Sequence, residues 1–142
     1  MLALLAFTLG LCGCVQGSKA PDNLSLKTGG TIFEPSFSVK LSSAGQLAVE
    51  QSAVPSSPAK SLMLKLSAAQ TGELFLLASQ SKDFALGCGQ VADGTSAGMR
   101  VVYNGVEQEF SCQGAPKWPR GAATGKLLSA INKHLPDDLR VY

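Results

Sequence analysis

Three observations in the 142-residue sequence predict an α+β fold. Several short segments alternate apolar and polar side chains, as half-buried strands do. Two of these flank Asn104-Gly105, the strongest short hairpin signal, because a type I′ turn needs positive φ at both central positions. Two other segments switch to the spacing of an amphipathic helix. Read in chain order, the elements are β-β-β-α-β-β-β-α, which predicts a small antiparallel sheet with two helices packed on one face.

Phe37-Ser38-Val39-Lys40-Leu41 and Gln46-Leu47-Ala48-Val49-Glu50 alternate on either side of the turn residues 42–45 and are expected to form a hairpin. The prolines and serines of residues 51–58 make a loop, and Leu62, Leu64 and Leu66 give a third strand. Ser67 and Gln70 stand at capping-box spacing, so a helix is expected over residues 68–79, with Leu74, Leu77 and Ala78 on one face. Residues 84–88 read as a short strand ending at Cys88, and residues 91–98 as a polar loop. The turn at Asn104-Gly105 then sets the register of 99–103 against 106–112. Tyr103 faces Val106, Val101 faces Gln108 and Met99 faces Phe110. On the other face, expected to meet solvent, Val102 lies opposite Glu107 and Arg100 opposite Glu109, the latter a cross-strand ion pair. Leu127, Leu128, Ile131 and Leu135 have helical spacing, which predicts a helix from Arg120 or Thr124 to His134, ended by Pro136. Residues 137–142 are expected to add a short strand.

The composition narrows the function. At 45% hydrophobic and 15% charged, the chain is not of the disordered class. A net charge of +2 is too small for a nucleic-acid binder, so no nucleic-acid partner is expected. The mean hydropathy of +0.16 is high for a soluble domain, and much of the excess lies in residues 1–13, MLALLAFTLGLCG, which carry no charged side chain. This run is shorter than the roughly 20 residues that span a bilayer, but it fits the apolar region of an export signal. A buried helix or a non-lipid signal are the alternative readings, and the polar, turn-rich stretch that follows argues against the helix.

The run closes on Leu11-Cys12-Gly13-Cys14. This resembles the lipobox of Gram-negative lipoproteins, and the small domain behind it resembles the small uncharacterised lipoproteins of their envelopes. The resemblance covers only the signal and Cys14. It implies cleavage after residue 13, acylation of Cys14, and a first mature residue fixed to a membrane without crossing it, since two or more acyl chains anchor stably. Two departures bear on it. The Met1 amine is the only positive group before Cys14, and Cys12 stands where a smaller residue is usual. Val15 and Gln16 in place of an aspartate after the cysteine imply the outer membrane, facing the periplasm. On this reading residues 1–13 are the signal, 14–30 an acylated flexible tether, and 31–142 the globular domain.

Cys88 and Cys112 remain. In an oxidising compartment they are expected to form a structural disulfide, worth about 3 kcal/mol in the loop-closure picture. A redox pair would more often be spaced C-x-x-C, and two cysteines with one distant histidine fall short of a zinc site, so no metal or cofactor is expected. No catalytic residue is expected either. His134 is the sole imidazole, placed where a cation suits a helix end. Asp93 reads as an Asx turn, and Glu107 and Glu109 are offset by Arg100. Lys117-Trp118-Pro119-Arg120 has two readings: a partner contact, since Trp and Arg are enriched in hot spots, or packing of Trp118 over the disulfide with Pro119 opening the helix. The expected function is a membrane-anchored, non-catalytic binding or structural module of the cell envelope, with an envelope protein as partner. The alternative is a periplasmic inhibitor or immunity protein against an exported hydrolase.

Overall fold

The computed structural model describes residues 19–87, 95–114 and 117–141. It has the expected α+β class. The strands are β1 (Asn23–Thr28), β2 (Phe37–Ser42), β3 (Gln46–Gln51), β4 (Lys60–Lys65), β5 (Ser96–Tyr103) and β6 (Val106–Gln113). They form one sheet in the spatial order β4-β3-β2-β1-β5-β6, every neighbouring pair antiparallel. Helices α1 (Ala68–Gln80) and α2 (Ala123–Asn132) cover one face.

Strand register explains where the core sits. Leu24, Leu41, Leu47 and Val101 line up across four strands, and Leu26, Val39, Val49 and Met99 form the next row. All eight are buried. Each helix buries an i, i+3, i+4, i+7 stripe, Thr71, Leu74, Phe75 and Ala78 on α1 and Thr124, Leu127, Leu128 and Ile131 on α2; α1 packs on β1 and β5, and α2 packs against α1. Burying one such large apolar side chain contributes about 1.5–3 kcal/mol. The opposite face of the sheet carries Ser25, Lys40, Ala48 and Arg100, small or polar side chains that need no cover.

Two sequence expectations hold in detail. Ser67 Oγ accepts from the Gln70 amide at 3.2 Å while Gln70 Oε1 accepts from the Ser67 amide at 2.9 Å, a complete capping box. Asn104 and Gly105 have φ of 51° and 77°, and β5 pairs with β6 in the register the turn dictates, Met99 opposite Phe110 and Tyr103 opposite Val106.

The structure corrects several others. The supposed tether over 14–30 contains β1, the strand between β2 and β5, so the folded unit begins by Asn23 rather than at Thr31. Leu24, Leu26 and Thr28 face the core from within a polar stretch, and two leucines are too few to stand out as a period. Residues 84–87 of the expected 84–88 strand form a short 3-10 helix, Phe84–Gly87, in which only Phe84 is buried; Leu86 is 86% exposed. The third strand ends at Lys65, after which the Leu66 amide bonds to Gly45 O and turns the chain toward α1. Strand β5 starts at Ser96, inside the expected loop. Helix α2 ends at Asn132, short of His134, and the tail forms a 3-10 turn at Asp137–Leu139 where a strand was expected. Val102, expected to meet solvent, is 3% exposed, flanked in register by Asn23 of β1 and Glu107 of β6. Arg100 stands opposite Glu109 in register, yet its Nε binds Glu107 Oε1 at 2.7 Å, a diagonal that long side chains reach easily. That hydrogen bond raises the Arg100 pKa above its ordinary value.

A candidate binding cleft beside helix α2

The cleft of interest is built from three pieces of chain: residues 117–120, the outer side of α2, and the C-terminal tail. Its position follows from how α2 starts. Ala122, the residue before the helix, has no capping side chain. The cap comes from Asp83 instead, 41 positions away, whose Oδ1 accepts from the Thr124 amide at 3.0 Å and from Thr124 Oγ1 at 2.7 Å. This bond ties α2 to the segment that leaves α1. The Ala122 amide bonds to Pro119 O at 3.0 Å, so Pro119 makes a turn ahead of the helix rather than its first residue. Gly125 lets that turn approach: a Cβ there would lie 2.0 Å from Pro119 O.

Trp118 is fixed against the 3-10 helix. Its Nε1 donates to Phe84 O at 2.9 Å, and its ring lies 4.9 Å from that of Phe84, tilted by 33°. The Lys117 amide donates to Gly87 O at 2.7 Å. A Cβ on Gly87 would fall 2.0 Å from the indole Cδ1 and Nε1, so the indole lies where only glycine leaves room. Trp118 thus packs on Phe84 and also lines the cleft; the disulfide it was expected to cover involves Cys88, which lies outside the described residues.

The cleft encloses about 590 Å³, within the range of ordinary ligand sites. Trp118, Leu128 and Val141 are its apolar lining, and Lys117, Arg120, Lys133 and Arg140 its cations. The partner-contact residues expected from sequence, Lys117, Trp118 and Arg120, therefore meet in one place. Lys133 and Arg140 were not anticipated. Their signal is thin in the sequence, because the tail returns to α2 through a side-chain clamp: Asn132 Oδ1 accepts from the Val141 amide and Asn132 Nδ2 donates to Val141 O, both at 2.8 Å. Arg140 pairs with Asp137 at 2.6 Å, whereas Lys117, Arg120 and Lys133 have no ion-pair partner among the described residues.

The remaining sequence candidates lie elsewhere. Cys14, Cys88 and Asp93 fall outside the described residues. Cys112 is half-buried on β6 and is disulfide-bonded. His134 is half-buried beyond the end of α2, its amide bonded to Ile131 O at 3.0 Å. Asp138 pairs with Lys60 at 2.9 Å, and that hydrogen bond holds its carboxyl below the usual range. Among the described residues there is no group of three His, Cys, Asp or Glu side chains that could hold a metal, and no helix long and apolar enough to cross a membrane. A second cleft of about 450 Å³, at one end of the sheet, has Lys27 and Glu50 among its lining and so no charge bias.

No protein-family model matches the chain, and no curated protein matches it in sequence.

Proposed function

We propose that this protein is a non-catalytic binding module of the cell envelope, held to the membrane by lipid at Cys14 and stapled by a Cys88–Cys112 disulfide, and that it engages its partner through the cleft beside α2. The observation that carries the binding reading is the convergence of Trp118 with four cations on an apolar floor. Tryptophan and arginine are the residues most enriched at energetic centres of contact, and the lining here offers both without a paired nucleophile and base. The lipid anchor rests on the lipobox-like run ending at Cys14.

The corrected start of the domain sharpens the anchor's consequence. Between Cys14 and Asn23 an extended chain reaches about 30 Å at most, roughly half of what a tether ending at residue 30 would allow. The module would work close to the membrane surface.

Photo-crosslinking in intact cells tests the reading. With a photoreactive residue at Arg120, a discrete adduct is expected, and with one at Lys40, exposed on the uncovered sheet face and outside both clefts, none. Adducts of equal yield at both positions would refute the cleft as the contact. Palmitate labelling that persists in Cys14→Ser would refute the anchor, and free thiols at Cys88 and Cys112 in non-reduced protein would refute the staple.

A further inference from the structure

We infer that the occupant of the cleft is an acidic polypeptide segment, with carboxylates on both sides of an apolar side chain; this rests on the binding-module reading and names the partner's chemistry. Charge is the first argument. Four of the chain's 12 Lys and Arg line this single cleft, and one carboxylate, Asp137, answers them. Of the eight other cations, the second cleft gathers only Lys27, beside Glu50, while Arg100 pairs with Glu107 and Lys60 with Asp138. Here Lys117, Arg120 and Lys133 are left to solvent among the described residues, around Trp118, Leu128 and Val141. A ligand that carries carboxylates beside an apolar group answers both the charges and the floor.

The second argument separates a carboxylate ligand from a phosphate one. Phosphates are commonly held by the free amides at a helix N-terminus. At α2 the Thr124 amide and hydroxyl are already taken by Asp83, and Pro119 O closes over Gly125. What remains is side-chain recognition by two lysines and two arginines set around an open trough, which suits spaced carboxylates. The 10 residues of α2 give the trough a length of about 15 Å, enough for an extended segment of about four or five residues.

Trp118 is the chain's single tryptophan, so its emission reads the site directly. The full chain in detergent micelles is titrated with the blocked peptide Asp-Glu-Leu-Glu-Asp, with its neutral counterpart Asn-Gln-Leu-Gln-Asn, with Asp-Glu-Ser-Glu-Asp, with inorganic phosphate and with oligothymidylate. The first peptide is expected to shift the emission saturably. Raising NaCl from about 50 to about 500 mM should weaken it markedly, because the screening length shrinks to a few ångströms. Lys117→Gln and Lys133→Gln should each weaken it about two- to fivefold, the scale of exposed charge pairs. Lys40→Gln, on the opposite sheet face, should leave it unchanged, and replacing leucine by serine in the peptide should weaken binding. Equal binding of the neutral peptide, no saturation by the acidic one, or tighter binding of phosphate or oligothymidylate overturns the inference. None of these three results touches the crosslinking at Arg120, which stands or falls by itself.

Discussion

Gly87→Ala tests how the indole of Trp118 is held. The added Cβ would sit 2.0 Å from Cδ1 and Nε1 of the indole, far inside contact distance, so the ring must move. It cannot swing away freely, since Nε1 is bonded to Phe84 O and the ring packs on Phe84. Forcing an extra carbon into such a site costs about 1–3 kcal/mol. Losing the hydrogen bond adds about 1 kcal/mol. Against this, replacing glycine stiffens the unfolded chain by about 0.4–1 kcal/mol. The net loss is about 1–3.5 kcal/mol, a fall in Tm of about 2–14 °C for a chain of this size. Thermal unfolding followed by circular dichroism measures it, and the native emission of Trp118 should move to longer wavelength as the ring becomes wetter. In a Trp118→Leu background the same Gly87→Ala change should cost nothing or stabilise slightly, so the two substitutions couple strongly. An unchanged Tm together with an unchanged emission spectrum would refute the contact.

Asp83→Ala should destabilise the domain by about 1–2 kcal/mol in urea unfolding, the cost of a lost helix cap, and Asp83→Asn should recover much of it. Leu26→Ala, at a side chain with 0% exposure in β1, should cost about 2–5 kcal/mol, whereas a truly flexible tether would leave the midpoint unchanged. Asp138 should titrate below an ordinary aspartate by NMR because Lys60 binds its ionised form. Its folded-state pKa is depressed, so the stability it contributes is present at neutral pH and is lost as pH falls through the acid range below the unfolded value near 4. Lys60→Ala should return the midpoint to normal.

Elements whose signals are local were legible in the sequence. The Asn104-Gly105 turn and the Ser67/Gln70 box each act within a few residues, and both are present as read. What escaped depends on residues far apart. Asp83 caps α2 from the other end of a long connection, so α2's true start had no local marker. Strand β1 is recognisable mainly by its neighbours: two leucines in a polar stretch become a central strand only once β2 and β5 flank them. Phe84, Leu86 and Cys88 alternate as a strand would, but the Phe84 and Leu86 amides bond to Ser81 O and Asp83 O, which winds the segment into a 3-10 turn. The cleft was legible in part. Lys117, Trp118 and Arg120 stand out because they are contiguous, whereas Lys133 and Arg140 arrive through the Asn132–Val141 clamp.

The place of β1 also sets an order of events. Leu26 pairs with Val39 on one side and with Met99 on the other, the second partner roughly seventy positions along the chain. During synthesis β1 to β4 can assemble as a meander, but the inner face of Leu24, Leu26, Val39 and Leu41 has no cover until α1, β5 and α2 have emerged. Closing so distant a pair is entropically slow and commits the chain late. Until β5 arrives, one edge of β1 has no strand partner, so a chain cut short before Ser96 would present that edge to other chains as a template for pairing.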